Sequence, residues 1–139
     1  TLELNGFTIT NAVSGPGMIT NGIVVTDFSP AGTGVVGTQT VSLVNATVKG
    51  TYWADVTAGG QSDLLNIQGS IDLSNIDLRI VNTDVLERAK VYTILSCTGG
   101  VRTGTFKSTN LPDSRWHVSY RSDGSVQLIF ATGTLIRVR

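Results

Sequence analysis

The fold is decided by residues 65–80: Leu65-Asn66-Ile67-Gln68-Gly69-Ser70-Ile71-Asp72-Leu73-Ser74-Asn75-Ile76-Asp77-Leu78-Arg79-Ile80. Leu65 and Ile67, Ile71 and Leu73, then Ile76, Leu78 and Ile80 alternate with polar residues, the period of strands with one buried face. Gly69 and Ser74-Asn75 interrupt the alternation, and its phase changes at Asn75. One flat strand would turn the later apolar residues outward. Corners at Gly69 and Asn75 keep them all inward, and Gly and Asn tolerate the left-handed backbone that corners need. Short strands joined by corners describe a coiled solenoid, with about 20 residues per rung.

The same grammar extends toward the start of the chain. Leu2 and Leu4 share a face, Asn5-Gly6 turns, and Phe7 and Ile9 follow. Ser14-Gly15-Pro16-Gly17 punctuates, Met18 leads to Asn21-Gly22, and Ile23-Val24-Val25 is a further burst. Residues 29 to 38 are turn-rich. Val41 and Leu43 alternate, the phase slips at Asn45, and Ala46 and Val48 continue it. Tyr52, Ala54 and Val56 make the next burst, with Tyr52 and Trp53 on opposite faces and Trp53 the outward one. At about 4.8 Å per rung, four rungs over residues 1–82 make a stub roughly 20 Å long.

Toward the end the pattern changes. Thr83–Ala89 reads as a short helix or a loop, and Val91–Leu95 is a two-sided apolar run. Trp116, Val118 and Tyr120 alternate before Ser122-Asp123-Gly124, and Val126, Leu128 and Phe130 alternate after it, a β-hairpin with one aromatic face. Thr134–Arg139 reads as one more strand. An open solenoid end exposes unpaired backbone, and a hairpin with Trp116, Val118, Tyr120, Leu128 and Phe130 as its core is composed to cap it. The expectation is therefore all-β: a parallel β-helix stub over residues 1–82 running continuously into a capping region over residues 83–139. The alternative architecture is a β-sandwich.

Composition removes several function classes. The chain has 139 residues, 10 basic and 10 acidic, and 14% charged residues, against roughly 25% in ordinary soluble domains. Scattered, balanced charge offers no footprint for a phosphate backbone, so nucleic acid is not an expected partner. No apolar run approaches the roughly 18 residues of a membrane helix. A single cysteine makes neither an internal disulfide nor an ordinary zinc cluster. With no initiator Met and no charged n-region, the chain reads as a mature piece cut from something longer.

Two stretches carry a family resemblance. Thr1-Leu2-Glu3-Leu4-Asn5-Gly6-Phe7-Thr8-Ile9-Thr10 with Ser14–Gly22 resembles the autotransporter-associated β-strand repeat. Lys90–Leu95, Gly104-Thr105-Phe106, Leu111-Pro112, Trp116–Tyr120 and Val126-Gln127-Leu128 follow in an order that resembles the end of an autotransporter-type passenger. The resemblance implies a right-handed parallel β-helix in a secreted or surface-displayed bacterial protein, whose last rungs and cap help the passenger fold as it leaves the cell. In that family a translocator barrel is expected after the cap, beyond the Arg139 at which this sequence stops.

Candidate chemistry is sparse. His117, Ser114 and Asp113 write a triad on paper, but no G-x-S-x-G elbow is present and His117 reads as outward-facing. Asp72 with Asp77, or Asp55 with Asp63, have the composition of a carboxylate pair for glycoside cleavage; exposed Asp at rung corners is ordinary turn chemistry. Gly59-Gly60-Gln61-Ser62-Asp63 is one fragment of a calcium-binding repeat, not an array. Cys97 reads as a buried, inert thiol, Thr1 as a boundary rather than a nucleophile, and Asn45-Ala46-Thr47 as a sequon without consequence in a bacterial protein. Trp53 is the candidate for stacking on a sugar ring. These readings lead to a non-catalytic structural segment without cofactor or metal, whose partner is the upstream remainder of the same polypeptide, with self-association possible through the open solenoid end. An adhesin-type module binding host glycan or protein is the alternative, and a polysaccharide-cleaving enzyme the more distant one.

Overall fold

The corner at Gly69 is one of a vertical series. The computed structural model describes residues 1–11, 13–30 and 38–131. Its strands are β1 (Leu2–Glu3), β2 (Thr8–Ile9), β3 (Val13–Ser14), β4 (Gly17–Thr20), β5 (Ile23–Val25), β6 (Phe28–Ser29), β7 (Thr40–Val44) and β8 (Thr47–Ala54). They continue with β9 (Leu64–Gln68), β10 (Ile71–Asp72), β11 (Ile76–Ile80), β12 (Tyr92–Thr98), β13 (Arg102–Thr103), β14 (Trp116–Tyr120) and β15 (Val126–Phe130). Among the described residues helix is confined to two single 3-10 turns, Leu73–Asn75 and Thr83–Val85, and the fold is all-β.

A seven-stranded sheet runs β1-β4-β7-β9-β12-β15-β14, and neither it nor the two other sheets closes on itself. From β1 to β12 every neighbour is parallel, in columns such as Leu2–Ile19–Leu43–Ile67–Cys97. Purely antiparallel packing, the mark of the sandwich alternative, is not what the pairing is. Outside the same sheet, Asn66 Nδ2 donates to Ser42 Oγ (3.3 Å) and Ser96 Oγ donates to Asn66 Oδ1 (3.0 Å). These contacts join residues 24 and 30 apart in sequence, whereas Leu2 and Ile19 in the first lap are 17 apart, so the lap is not a constant 20 residues but lengthens along the chain.

After β4, β7 and β9 the chain turns through a left-handed residue: Asn21 (φ 56°), Asn45 (φ 51°) and Gly69 (φ 124°). Each corner amide donates to the next layer, Asn21 N to Val44 O, Asn45 N to Gln68 O and Gly69 N to Thr98 O, at 2.8–3.0 Å. The expected left-handed corner at Asn75 is corrected. That corner is the 3-10 turn Leu73–Asn75, capped when Asp72 accepts from Ser74 N. The Thr83–Ala89 helix candidate reduces to the 3-10 turn Thr83–Val85. The proposed strand at Thr134–Arg139 and most of the turn-rich stretch at 29–38 lie outside the described residues.

The core fills the inside of the stack, from Leu4 and Ile19 through Tyr52, Leu65 and Leu78 to Leu95 and Leu128. The rule that apolar groups always face inward fails in the first lap, where Leu2 is 47% and Phe7 74% exposed, and again at the exposed Val25, Val81, Val91 and Val101. That lap has a neighbouring layer on one side only, so its side chains lack the second wall that covers Leu43 and Ile67.

β8 serves two directions. Thr47–Lys49 pairs with β5, whereas Gly50–Ala54 pairs with β11, and Tyr52 with Phe28 of β6. The bend is at Gly50 (φ 140°), where a Cβ would lie 2.0 Å from the Thr26 carbonyl oxygen. Gly50→Ala is therefore expected to destabilise the chain by about 2 kcal/mol or more. Gly59→Ala, whose nearest neighbour would be Thr57 Oγ1 at 3.8 Å, is expected to cost within about 0.5 kcal/mol. Urea unfolding of the two variants checks the difference.

Candidate functional site

The chemistry-bearing residues fall into three places: the Asp55–Asp63 excursion, the corner at Asp72, and the C-terminal hairpin. After β8 the chain leaves the stack and returns through an isolated antiparallel bridge between Val56 and Ser62. The loop is closed by Thr57 N to Gln61 O (2.8 Å) and Asp63 N to Asp55 O (2.8 Å). Asp63 is fully buried, and its carboxylate accepts the main-chain N–H of Gln39 (2.8 Å) and of Asp55 (2.9 Å). It thus ties the start of β7 to the end of β8. The Tyr52 hydroxyl donates to Ile94 O (2.8 Å), and burial pushes its pKa well up, with the Asp63 charge adding to the effect. Burial, then the neighbouring Asp63, raises the Asp55 carboxyl.

Asp55 and Asp63 are thus brought together, but Asp63 is spent on backbone amides inside the fold. The Gly59–Asp63 stretch has the same fate, because Asp63 points inward. Among the described residues no three His, Cys, Asp or Glu side chains gather into a metal-binding group. The other carboxylate pair is split. Asp72 Oδ1 accepts from Ser74 N (2.9 Å) and Ser74 Oγ (2.7 Å), bonds that lower its pKa. Asp77, expected to face solvent, is half-buried and accepts from Ser108 Oγ.

The paper triad does not assemble. His117 is exposed on β14 opposite Ile129, and Asp113 Oδ1 takes the Arg115 N–H (2.7 Å). Ser114 is exposed, and His117 makes no hydrogen bond to either residue among the described ones. Cys97 is buried, with Sγ 3.2 Å from Gly69 O, and burial raises its pKa more than Arg102 lowers it. Trp53 is 38% exposed opposite Arg79, while Tyr52 behind it is buried.

In the hairpin, Trp116 and Leu128 are buried, and Val118, Tyr120 and Phe130 are partly buried against the core. Trp116 meets Phe130 edge-on (5.3 Å) and is tilted to Tyr92 (6.2 Å). The Tyr120 hydroxyl accepts the Phe106 N–H (2.9 Å). Arg102 lies 5.6 Å from the Tyr120 ring and donates through Nη1 to Arg121 O and Ser125 O, both at 2.9 Å. Arg88 and Arg115 lie 4.9 and 5.4 Å from the Phe130 ring. The sequence placed Val126 on the alternating face of the hairpin but outside the expected cap core, although it is fully buried, and it carried no signal for Arg102.

Two asparagines also escaped it. Asn82 gives Nδ2 to Val56 O (2.6 Å) and takes the Val56 N–H (3.1 Å), and Asn110 does the same with Ile80 (3.0 and 2.8 Å). Each side-chain amide stands in for a neighbouring strand.

With this geometry established, the chain was compared with protein-family models, curated proteins and solved structures, and none matches it.

Removing the Asp63 carboxylate would strand the Gln39 and Asp55 amides. Asp63→Ala is expected to lower stability by about 2–4 kcal/mol, against a small effect for the exposed His117→Ala. Thermal or urea unfolding reads both, and equal effects would show that Asp63 is not a tie.

Proposed function

We propose that this chain is the structural, non-catalytic end of a secreted or surface-displayed bacterial β-helical passenger, with its C-terminal hairpin closing a right-handed solenoid. The observation that carries the reading is the change of partner at β12. On one edge Leu95 pairs in parallel with Leu65; on the other it pairs antiparallel with Val126. A hairpin that satisfies the last parallel strand and brings Trp116, Val126 and Leu128 over the core does what a cap must do. Parallel columns and stacked corners support the solenoid. The first lap, where no further strand pairs with β1 among the described residues and Leu2 and Phe7 are exposed, offers a seat for a preceding lap of the same polypeptide.

The carboxylates lend nothing to a polysaccharide-cleaving reading, since Asp63 holds amides and Asp72 and Asp77 bind separate serines. A second reading, adhesin-type binding of host glycan or protein, rests on the exposed Trp53.

The cap is tested by limited proteolysis of the chain with and without residues 111–139. The reading expects the shortened chain to be cut throughout β7, β9 and β12, where the intact chain resists. Equal resistance of the two would end the cap assignment.

A further inference from the structure

One seam in the stack stays open although its strands are aligned. Asn45 and Gly69 lie in adjacent layers, so the residues after them, Thr47-Val48 and Ile71-Asp72, are placed to pair as β7 and β9 do. They do not. β8 pairs with β5, β10 pairs with β13, and among the described residues no backbone hydrogen bond joins β8 to β10. Thr47 N donates to Gly22 O, and Ile71 N donates to Val101 O, each away from the seam. Because main-chain groups alternate in direction along a strand, the N–H and C=O of Val48 and the N–H of Asp72 turn toward it, while the Asp72 C=O is taken by the 3-10 turn that follows.

The seam opens into a cleft of about 310 Å³ whose polar rim is Thr47, Ser70, Asp72, Asn75 and Thr103. Val48 and Ile71, both buried, form its apolar floor. The Thr47 hydroxyl and the Asn75 amide have no side-chain hydrogen bond to protein among the described residues. Ser70 Oγ accepts the Val101 N–H (3.0 Å), which leaves its own proton free to donate. Asp72 uses Oδ1 for Ser74, and the bonds that depress its pKa keep it an ionised acceptor.

We propose that this cleft between β8 and β10 binds a neutral sugar residue. Hydroxyl and amide groups beside one ionised carboxylate, next to an apolar floor, match a ring with hydroxyls on its rim and C–H groups on its face. Among the described residues no Lys or Arg lines the cleft, which disfavours phosphate, sulfate and carboxylate ligands. Its single carboxylate makes it a binding site and not a hydrolytic one, since glycoside cleavage takes a pair. The site is separate from Trp53 and from the capping hairpin, and it does not depend on the capping role.

The test is a titration of the intact chain with glucose, galactose, mannose and N-acetylglucosamine, each up to tens of millimolar, followed by amide chemical shifts. Saturable shifts at Val48, Ser70, Asp72 and Thr103 are expected with at least one sugar. Asp72→Asn keeps an acceptor for Ser74 but loses the charge, and should weaken binding about tenfold. Thr47→Val and Asn75→Ala remove polar groups that make no side-chain hydrogen bond to protein among the described residues, and each should weaken it severalfold. Trp53→Ala should leave it unchanged. Absence of saturable shifts with all four sugars overturns the proposal, as do shifts centred on Trp53 or affinities that none of the three cleft variants changes.

Discussion

Everything in this molecule depends on how the chain turns out of its main sheet. Asn21, Asn45 and Gly69 adopt left-handed backbone at the same height of successive laps, and each spends its amide on the carbonyl that ends the next strand. The corner is therefore a local conformational choice and a contact between layers at once. A residue with a bulky or β-branched side chain would be strained there, and a shifted corner would move a whole lap out of register. Once the corners stack, the columns Leu2–Ile19–Leu43–Ile67–Cys97 and Val41–Leu65–Leu95 follow, and the core is a consequence of the register.

The stack has two unlike ends. At β1 no further strand pairs among the described residues, and Leu2 and Phe7 are exposed. At β12 an antiparallel hairpin takes over the edge, and Arg102 fixes its turn by donating to Arg121 O and Ser125 O. The pairing changes there from parallel to antiparallel, and the rings of Tyr92, Trp116 and Phe130 meet beside it. Between the ends, side-chain amides of Asn82 and Asn110 pair with strand backbone where the chain itself does not run as a strand.

Much of this was legible from local pattern. The corners at Asn45 and Gly69, the inward Tyr52 and outward Trp53, and the hairpin about Asp123-Gly124 all follow from alternation and turn chemistry within a few residues. What was not legible depends on partners a lap away. Nothing near Asp63 announces that its carboxylate will meet the amide of Gln39. Gly50 looks like any strand glycine until Thr26 comes within 2.0 Å of its missing Cβ. Asn75 resembles Asn45 in sequence, yet Asp72 caps a 3-10 turn there and removes the need for a left-handed residue. The open seam beside Asp72 is invisible for the same reason, because only the three-dimensional register shows that Thr47-Val48 should have paired.

The most direct test of the account is amide hydrogen exchange along the intact chain. If layers are held by stacked corners and secured from the capped end, protection is greatest in β9, β12 and β15. It then falls layer by layer through β7 and β4 to β1. A hairpin β14–β15 that exchanges before the first lap, or protection that is uniform from β1 to β12, would contradict it.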